Sequence, residues 1–138
     1  MEAEAIHHVS LTASDLERSR EFYRRILGLQ EIARPNFPFP GAWFRVGAGT
    51  QQLHLIVHTN PTFRGDKGID TRDVHFAVRV PSYQRALAFL RSNGFTEDVA
   101  DTDPRKMIAR PQATAGFPQI YILDPDRHVI EINAAVLD

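Results

Sequence analysis

An internal repeat restricts the possible folds of this chain more than any other feature of its sequence. Residues 8–12 (HVSLT) have a counterpart in residues 75–79 (HFAVR). Each segment is followed by a helical pattern, a glycine and short apolar runs, at 42–46 and 52–57 in the first half and at 119–123 and 129–133 in the second. We therefore predict an α+β fold of two similar modules, at about 5–58 and 72–134, joined by a linker at about 59–71 that contains Asn60-Pro61 and two glycines.

The repeat also predicts where the two helices begin and end. The first helix is expected from about Ser14 to Leu27, because Ser14 and Glu17 have the spacing of a capping box and Gly28 can end the helix. The second helix is expected from about Ser82 to Ser92, with Gly94 after it. Each helix has an apolar stripe that can pack on a sheet.

Four potential metal ligands occupy two repeated positions. His8 is the counterpart of His75, and His54, between two leucines, is the counterpart of Glu131, between two isoleucines. Because side chains alternate between the faces of a strand, each donor is expected on the face opposite its apolar neighbours. Taken singly, a strand histidine is usually a hydrogen-bonded structural residue and a strand glutamate is usually exposed. The repeat instead favours one metal site built from His8, His54, His75 and Glu131.

The remaining histidines, His7, His58 and His128, have no repeated partner and are expected to have surface or supporting roles. The chain has no cysteine, which excludes disulfides and thiolate ligands. Its 16 basic and 17 acidic residues are mixed along the chain, so we expect neither nucleic acid nor a membrane as a partner. No signal-like or membrane-spanning apolar run is evident, and a cytoplasmic location is expected.

Several motifs together resemble the vicinal oxygen chelate superfamily, also called the glyoxalase/bleomycin resistance/dioxygenase superfamily. These motifs lie at 6–11 (IHHVSL), 15–19 (DLERS), 22–29 (FYRRILGL), 73–78 (DVHFAV) and 121–131 (YILDPDRHVIE), so the resemblance covers almost the whole chain. It implies two βαβββ modules that form an incomplete barrel around a metal, often completed in a homodimer. The family's ligand positions fall on His8, His54, His75 and Glu131, the four residues that the repeat selects.

Two positions depart from the family pattern. Glyoxalase I usually has a carboxylate where this chain has His54, which weakens an assignment to that one enzyme. The family's turn usually reads Asp-Pro-Asp-Gly, but here Arg127 replaces the glycine. If Arg127 has a positive φ, the strain is of order 1 kcal/mol.

Imidazole and carboxylate ligands without thiolate suit Zn, Ni, Co, Fe(II) or Mn. Four protein ligands leave two adjacent positions on an octahedral ion, which a small substrate with neighbouring oxygens could fill. The hypothesis is therefore a metal-dependent isomerase or lyase in which Glu131 and Tyr121 are catalytic candidates, although Tyr121 could equally be a core aromatic. The candidate substrate contacts are Trp43, Phe44, Arg110 and Gln119.

Other interpretations of the same residues remain open. The aromatic and proline-rich segment 34–44 could form an apolar wall beside the metal or simply cap a sheet edge. Two histidines and Glu131 could also form the two-His-one-carboxylate face of an extradiol-type dioxygenase. A non-catalytic drug-binding or resistance protein is a further alternative, although such proteins generally lack the four ligands present here.

Overall fold

The computed structural model describes residues 2–58 and 64–138. The chain divides into two compact units, Met1–Phe63 and Arg64–Asp138. Part of the predicted linker, residues 59–63, lies outside the described residues. Residues 64–71 belong to the second unit, where the side chains of Arg64 and Ile69 are buried.

The first unit has the order strand, helix and three strands. Its elements are β1 (His8–Ala13), α1 (Leu16–Arg25), β2 (Gln30–Ile32), β3 (Gly41–Arg45) and β4 (Gln52–Val57). The sheet has the order β1-β4-β3-β2, with β1 parallel to β4 and the other pairs antiparallel.

The second unit repeats this order and topology. Its elements are β5 (His75–Arg79), α2 (Tyr83–Ser92), β6 (Met107–Arg110), β7 (Gln119–Leu123) and β8 (Val129–Asn133). The sheet has the order β5-β8-β7-β6, with β5 parallel to β8. Each sheet is open, with two edge strands. The predicted α+β fold of two βαβββ modules is confirmed.

The first helix is shorter than predicted and has a different N-cap. Asp15, not Ser14, is the N-cap residue, and its side chain accepts a hydrogen bond of 3.0 Å from the backbone N–H of Arg18. The second helix begins after Ser82, which accepts a bond of 3.1 Å from the backbone N–H of Arg85. Neither helix is longer than 10 residues, so within the described parts of the chain no helix could cross a membrane.

One face of each sheet carries buried apolar residues, and in the second unit a further buried cluster of Ile69, Tyr121, Leu123 and Val129 lies on the donor face. In the first unit Leu53 and Leu55 of β4 are buried together with Phe44 of β3 and Tyr23 of α1, and α1 contacts both strands. In the second unit the apolar residues of β7 and β8 and the stripe of α2 are buried. Because side chains alternate along a strand, the donor residues lie on the opposite face.

The loop before β8 is fixed to the start of the second unit by a buried arginine. Arg64 donates hydrogen bonds from Nε to the carbonyl of Arg127 (2.7 Å) and from Nη2 to that of Gly68 (2.9 Å), and it forms an ion pair with Asp73. Arg127 has a φ of 68°, and no other non-glycine residue among those described has a positive φ. Arg127, which replaces the glycine of the family's turn, therefore has a left-handed backbone conformation that strains a non-glycine residue.

Candidate functional site

Three aromatic rings lie parallel on the donor face of the first unit. His54 of β4 is directly opposite Trp43 of β3, and their rings stack with centroids 4.1 Å apart and planes inclined by 5°. On the other side of His54 the ring of His8 stacks at 4.3 Å and 15°. Parallel imidazoles point their nitrogen lone pairs side by side, so binding of one ion by both requires at least one ring to turn.

The imidazole of His54 is held in its neutral form. Burial, followed by the electrostatic effect of His8, His7 and Arg34, lowers the pKa of His54 to about 4. Nε2 of His54 lies 2.8 Å from the amide oxygen of Gln52. Because that oxygen can only accept, Nε2 carries the proton and Nδ1 carries the lone pair. A neutral ring with a free lone pair is the form that binds a metal.

The second unit brings His75 and Glu131 together. Nε2 of His75 lies 3.5 Å from Oε2 of Glu131. Nδ1 of His75 lies 2.7 Å from the carbonyl oxygen of Asp73, which can only accept, so Nδ1 carries a proton. In the neutral ring the lone pair of Nε2 therefore faces a carboxylate oxygen. Two such atoms repel unless a proton or a metal ion lies between them. A carbonyl that accepts from the other nitrogen is a common support for a metal-binding histidine.

Three neighbouring side chains hold the carboxylate of Glu131. Tyr121 donates its hydroxyl to Oε2 at 2.9 Å, Asn133 donates Nδ2 to Oε1 at 2.6 Å, and Gln119 donates a third bond. Burial raises the pKa of Glu131, but these hydrogen bonds outweigh it and the net pKa lies below the ordinary value. Glu131 is thus an anion at neutral pH. Burial and the contact with Glu131 raise the pKa of Tyr121 to about 12, so Tyr121 keeps its proton and acts as a donor.

The predicted substrate contacts divide between the two faces of the sheets. Trp43 and Gln119 lie on the donor faces, and the guanidinium of Arg110 lies 5.8 Å from the centroid of the Tyr121 ring. The prediction for Phe44 is corrected. Its side chain points to the opposite face, is 0% exposed and packs beside Tyr23 of α1, so it belongs to the core.

The segment before β3 forms an aromatic cluster around one arginine. The guanidinium of Arg34 lies 4.7 Å from the ring centroid of Phe37 and 5.0 Å from that of Phe39. Phe37 also contacts Trp43, with centroids 6.0 Å apart. The cluster therefore continues the stack of His8, His54 and Trp43 on the same unit. His7, which has no repeated partner, lies beside this stack with its Nδ1 at 2.9 Å from Nδ1 of His8.

The sequence reasoning missed Gln52 and Asn133, which contact two of the donors. The alternation of side chains could have identified both, because each is two residues from a donor on the same strand and so lies on the same face. It also missed a repeated tetrapeptide, Ile-Ala-Arg-Pro, at 32–35 and 108–111. In the first unit the tetrapeptide begins at Ile32, the last residue of β2. In the second unit its first three residues are the last three of β6.

The four predicted metal ligands thus occur as two pairs, one in each unit. The first pair is His8 with His54, and the second is His75 with Glu131. Residues 2–58 and 64–138 contain no group of three or more His, Asp or Glu side chains already arranged to hold a metal. The donor types nevertheless fit a divalent cation, since the first pair offers two imidazoles and the second offers an imidazole and an ionised carboxylate.

Comparison with known proteins places this arrangement in context. Residues 5–132 match the family model described as the Glyoxalase/Bleomycin resistance protein/Dioxygenase superfamily. Glyoxylase I 4 from Arabidopsis thaliana is 28% identical over 131 residues, which cover 93% of this chain and 69% of that protein.

Two solved structures illustrate the range of chemistry among proteins that share this fold. A mutant of the fosfomycin resistance protein FosX from Listeria monocytogenes, in complex with Mn(II) and 1S,2S-dihydroxypropylphosphonic acid, has a TM-score of 0.68 and 19% identity, and covers 99% of this chain and 95% of its own. TnmS3, an antibiotic-binding protein from Streptomyces sp. CB03234, also has a TM-score of 0.68 and 19% identity, with coverage of 97% and 98%.

Proposed function

This chain belongs to the Glyoxalase/Bleomycin resistance protein/Dioxygenase superfamily, and from that premise we propose that it is a metal-dependent enzyme acting on a small substrate with vicinal oxygens. The reaction is that of a glyoxalase-like isomerase or lyase, in which a proton next to a carbonyl is transferred. The superfamily includes lyases, resistance proteins and dioxygenases, so the assignment rests on the donor residues of this chain.

The proposed ligands are the four residues that the sequence predicts, His8, His54, His75 and Glu131. Zn, Ni, Co, Fe(II) or Mn suits this donor set. When bound, such an ion supplies Lewis-acid stabilisation to the oxyanion that develops as the substrate loses its proton. We also propose that the protein acts as a homodimer, as many small members of the superfamily do.

The observation that carries the proposal is the orientation of His75 against Glu131. The carbonyl of Asp73 fixes the proton of His75 on Nδ1, which leaves Nε2 facing Oε2 of Glu131 at 3.5 Å. A proton on Nε2 would join the two groups as a simple ion pair, whereas a divalent ion between them would use the lone pairs of both. The carbonyl that accepts from Nδ1 is the support that metal-binding histidines commonly have, and it favours the divalent ion.

The surrounding side chains would prepare Glu131 for this role. Asn133 donates to Oε1, Tyr121 donates to Oε2 and Gln119 donates a third bond to the carboxylate, so of its about four acceptor positions one is left for a metal. Tyr121 is therefore assigned to positioning Glu131, and Glu131 to binding the metal. On the first unit the ring of Trp43 offers an apolar wall beside His54.

Two assays separate this function from its alternatives. The protein is loaded with each candidate metal in turn and mixed in D2O with a panel of 2-hydroxy ketones and 2-oxo aldehyde hemithioacetals, and proton NMR follows the C–H signal next to the carbonyl. We expect the wild type to lose that signal when metal is present. The signal should persist with Glu131→Gln. Oxygen uptake with catechols under Fe(II) would instead support a dioxygenase, and saturable binding of the panel without any turnover would support a binding protein.

A further inference from the structure

A straight row of four polar residues crosses the second sheet next to the donor residues. The strand register places Arg79 opposite Asn133, Asn133 opposite Gln119, and Gln119 opposite Arg110. Asn133 is two residues from Glu131 on β8, and Gln119 is two residues from Tyr121 on β7. The row therefore lies on the same face of the sheet as Glu131 and Tyr121, about 6.8 Å from them along the strands. We call these four residues the polar row.

The two ends of the polar row are positively charged and have no counter-ion in the described part of the chain. The guanidinium of Arg79 lies 4.9 Å from the ring centroid of Phe117, and that of Arg110 lies 5.8 Å from that of Tyr121. Contact with a ring face leaves the N–H edge of a guanidinium able to bind a carboxylate. Both arginines are exposed, so an anion in solution can reach them.

The middle of the polar row contains a buried acceptor without a donor. Asn133 is only 5% exposed, and its Nδ2 is used by Glu131. Its Oδ1 is buried and has no hydrogen-bond partner among the described residues. Buried polar atoms are nearly always paired, so this oxygen points to a missing donor such as a ligand hydroxyl.

The first unit shows that the fold does not require this row. Its equivalent positions are Thr12, Ile56 and Gly41, which are aligned across β1, β4 and β3 and carry no charge. The arginine equivalent to Arg110 is Arg34, in the other copy of Ile-Ala-Arg-Pro. Arg34 has a structural use, because its Nη2 donates a bond of 2.9 Å to the carbonyl of Phe39.

We propose that the polar row binds a small hydroxy-dicarboxylate, with one carboxylate at Arg79, the other at Arg110 and the ligand hydroxyl at Oδ1 of Asn133. The order of the row, a cation at each end and two amides between them, matches the charges of such a dianion. The ends are three strand spacings, or about 14 Å, apart, so the long arginine side chains would reach inward to the two carboxylates. The inference goes beyond the proposed function, because the row uses every polar group of the ligand and is a separate anion site beside Glu131.

Malate is a suitable probe, with lactate as a one-carboxylate analogue and malamide as the neutral one. NMR titrations are carried out with excess chelator, so the result is independent of metal and of turnover. We expect saturable shifts of the side-chain amides of Asn133 and Gln119 with malate, weaker binding of lactate and none of malamide. Arg79→Gln and Arg110→Gln should each weaken malate binding about tenfold, as loss of a charge-assisted hydrogen bond would.

The control variant is Arg85→Gln, which removes an exposed positive charge from α2 and should leave malate binding unchanged. Equal affinity for malate and malamide would overturn the inference, and so would malate binding that neither row variant weakens. Absence of any malate-induced shift would overturn it as well. Failure of this titration with intact metal-dependent turnover would refute the polar row alone, whereas failure of turnover with intact malate binding would refute only the proposed reaction.

Discussion

The indole ring of Trp43 lies flat against the imidazole of His54, with ring centroids 4.1 Å apart and planes inclined by 5°. Trp43 is the only tryptophan of the chain, so its fluorescence reports on this one contact. A donor residue and an optical probe therefore occupy neighbouring positions on one sheet.

The emission of Trp43 should follow the protonation of His54. Because burial lowers the pKa of His54 to about 4, a charged imidazole should form beside the indole only in acid. We expect the emission to change with a midpoint near pH 4, well below the ordinary histidine value of 6.5. His54→Asn should abolish this transition. A midpoint near the ordinary value would show that His54 is not held neutral.

The same shift predicts how acid affects the free energy of unfolding. The unfolded chain takes up a proton at His54 near pH 6.5, whereas the folded chain does so only near pH 4. The stabilising contribution is thus complete above pH 6.5 and is lost as the pH falls towards 4. Denaturant titrations give the free energy of unfolding at about pH 7 and at about pH 5. The fall between the two pH values should be smaller for His54→Asn than for the wild type. Equal losses would contradict the prediction.

The hydroxyl of Tyr121 should stabilise the second unit through Glu131. Its removal in Tyr121→Phe leaves Oε2 of a buried carboxylate without this donor, and we expect the free energy of unfolding at neutral pH to fall by about 1–3 kcal/mol. Tyr83→Phe is the matched control. The hydroxyl of Tyr83 is buried with no hydrogen-bond partner in the described residues, so its removal should be neutral or stabilising. Equal effects of the two variants would refute the role of Tyr121.

The backbone of Arg127 should prefer glycine over alanine. With a φ of 68°, alanine at this position keeps the left-handed strain that glycine relieves. Both variants lose the side chain, including its bond of 2.8 Å to the carbonyl of Thr102. The free energy of unfolding of Arg127→Gly should therefore be about 1 kcal/mol higher than that of Arg127→Ala. Denaturant titration of the two variants side by side measures the difference, and a more stable alanine variant would contradict the backbone assignment.

The sequence predicted most of the fold because the apolar alternation and the repeat agree. In β3 the burial alternates between the two faces as the parity predicts, and Gly28 and Gly94, with positive φ values, follow the two helices as expected. The N-cap of α1 was misplaced by one residue, because Ser14 and Asp15 are both good capping residues and the choice depends on the backbone.

The site was harder to predict because it depends on contacts across strands. The alternation in β3 puts Phe44 on the core face and Trp43 on the donor face, yet adjacency in the sequence suggested a common role. The tautomer of His75 depends on the carbonyl of Asp73, which no sequence pattern indicates. The stacking of His54 required the register of β3 and β4.

Metal content is the most direct test of the central claim, that His75 and Glu131 hold a cation. The full chain is purified without chelator and analysed for elements beside His75→Ala and Glu131→Ala, with His128→Ala as a control outside the proposed ligand set. We expect about one divalent ion per chain in the wild type and the control, and loss of 10-fold or more in affinity in the two ligand variants. A wild type that holds as little metal as the ligand variants would contradict the account.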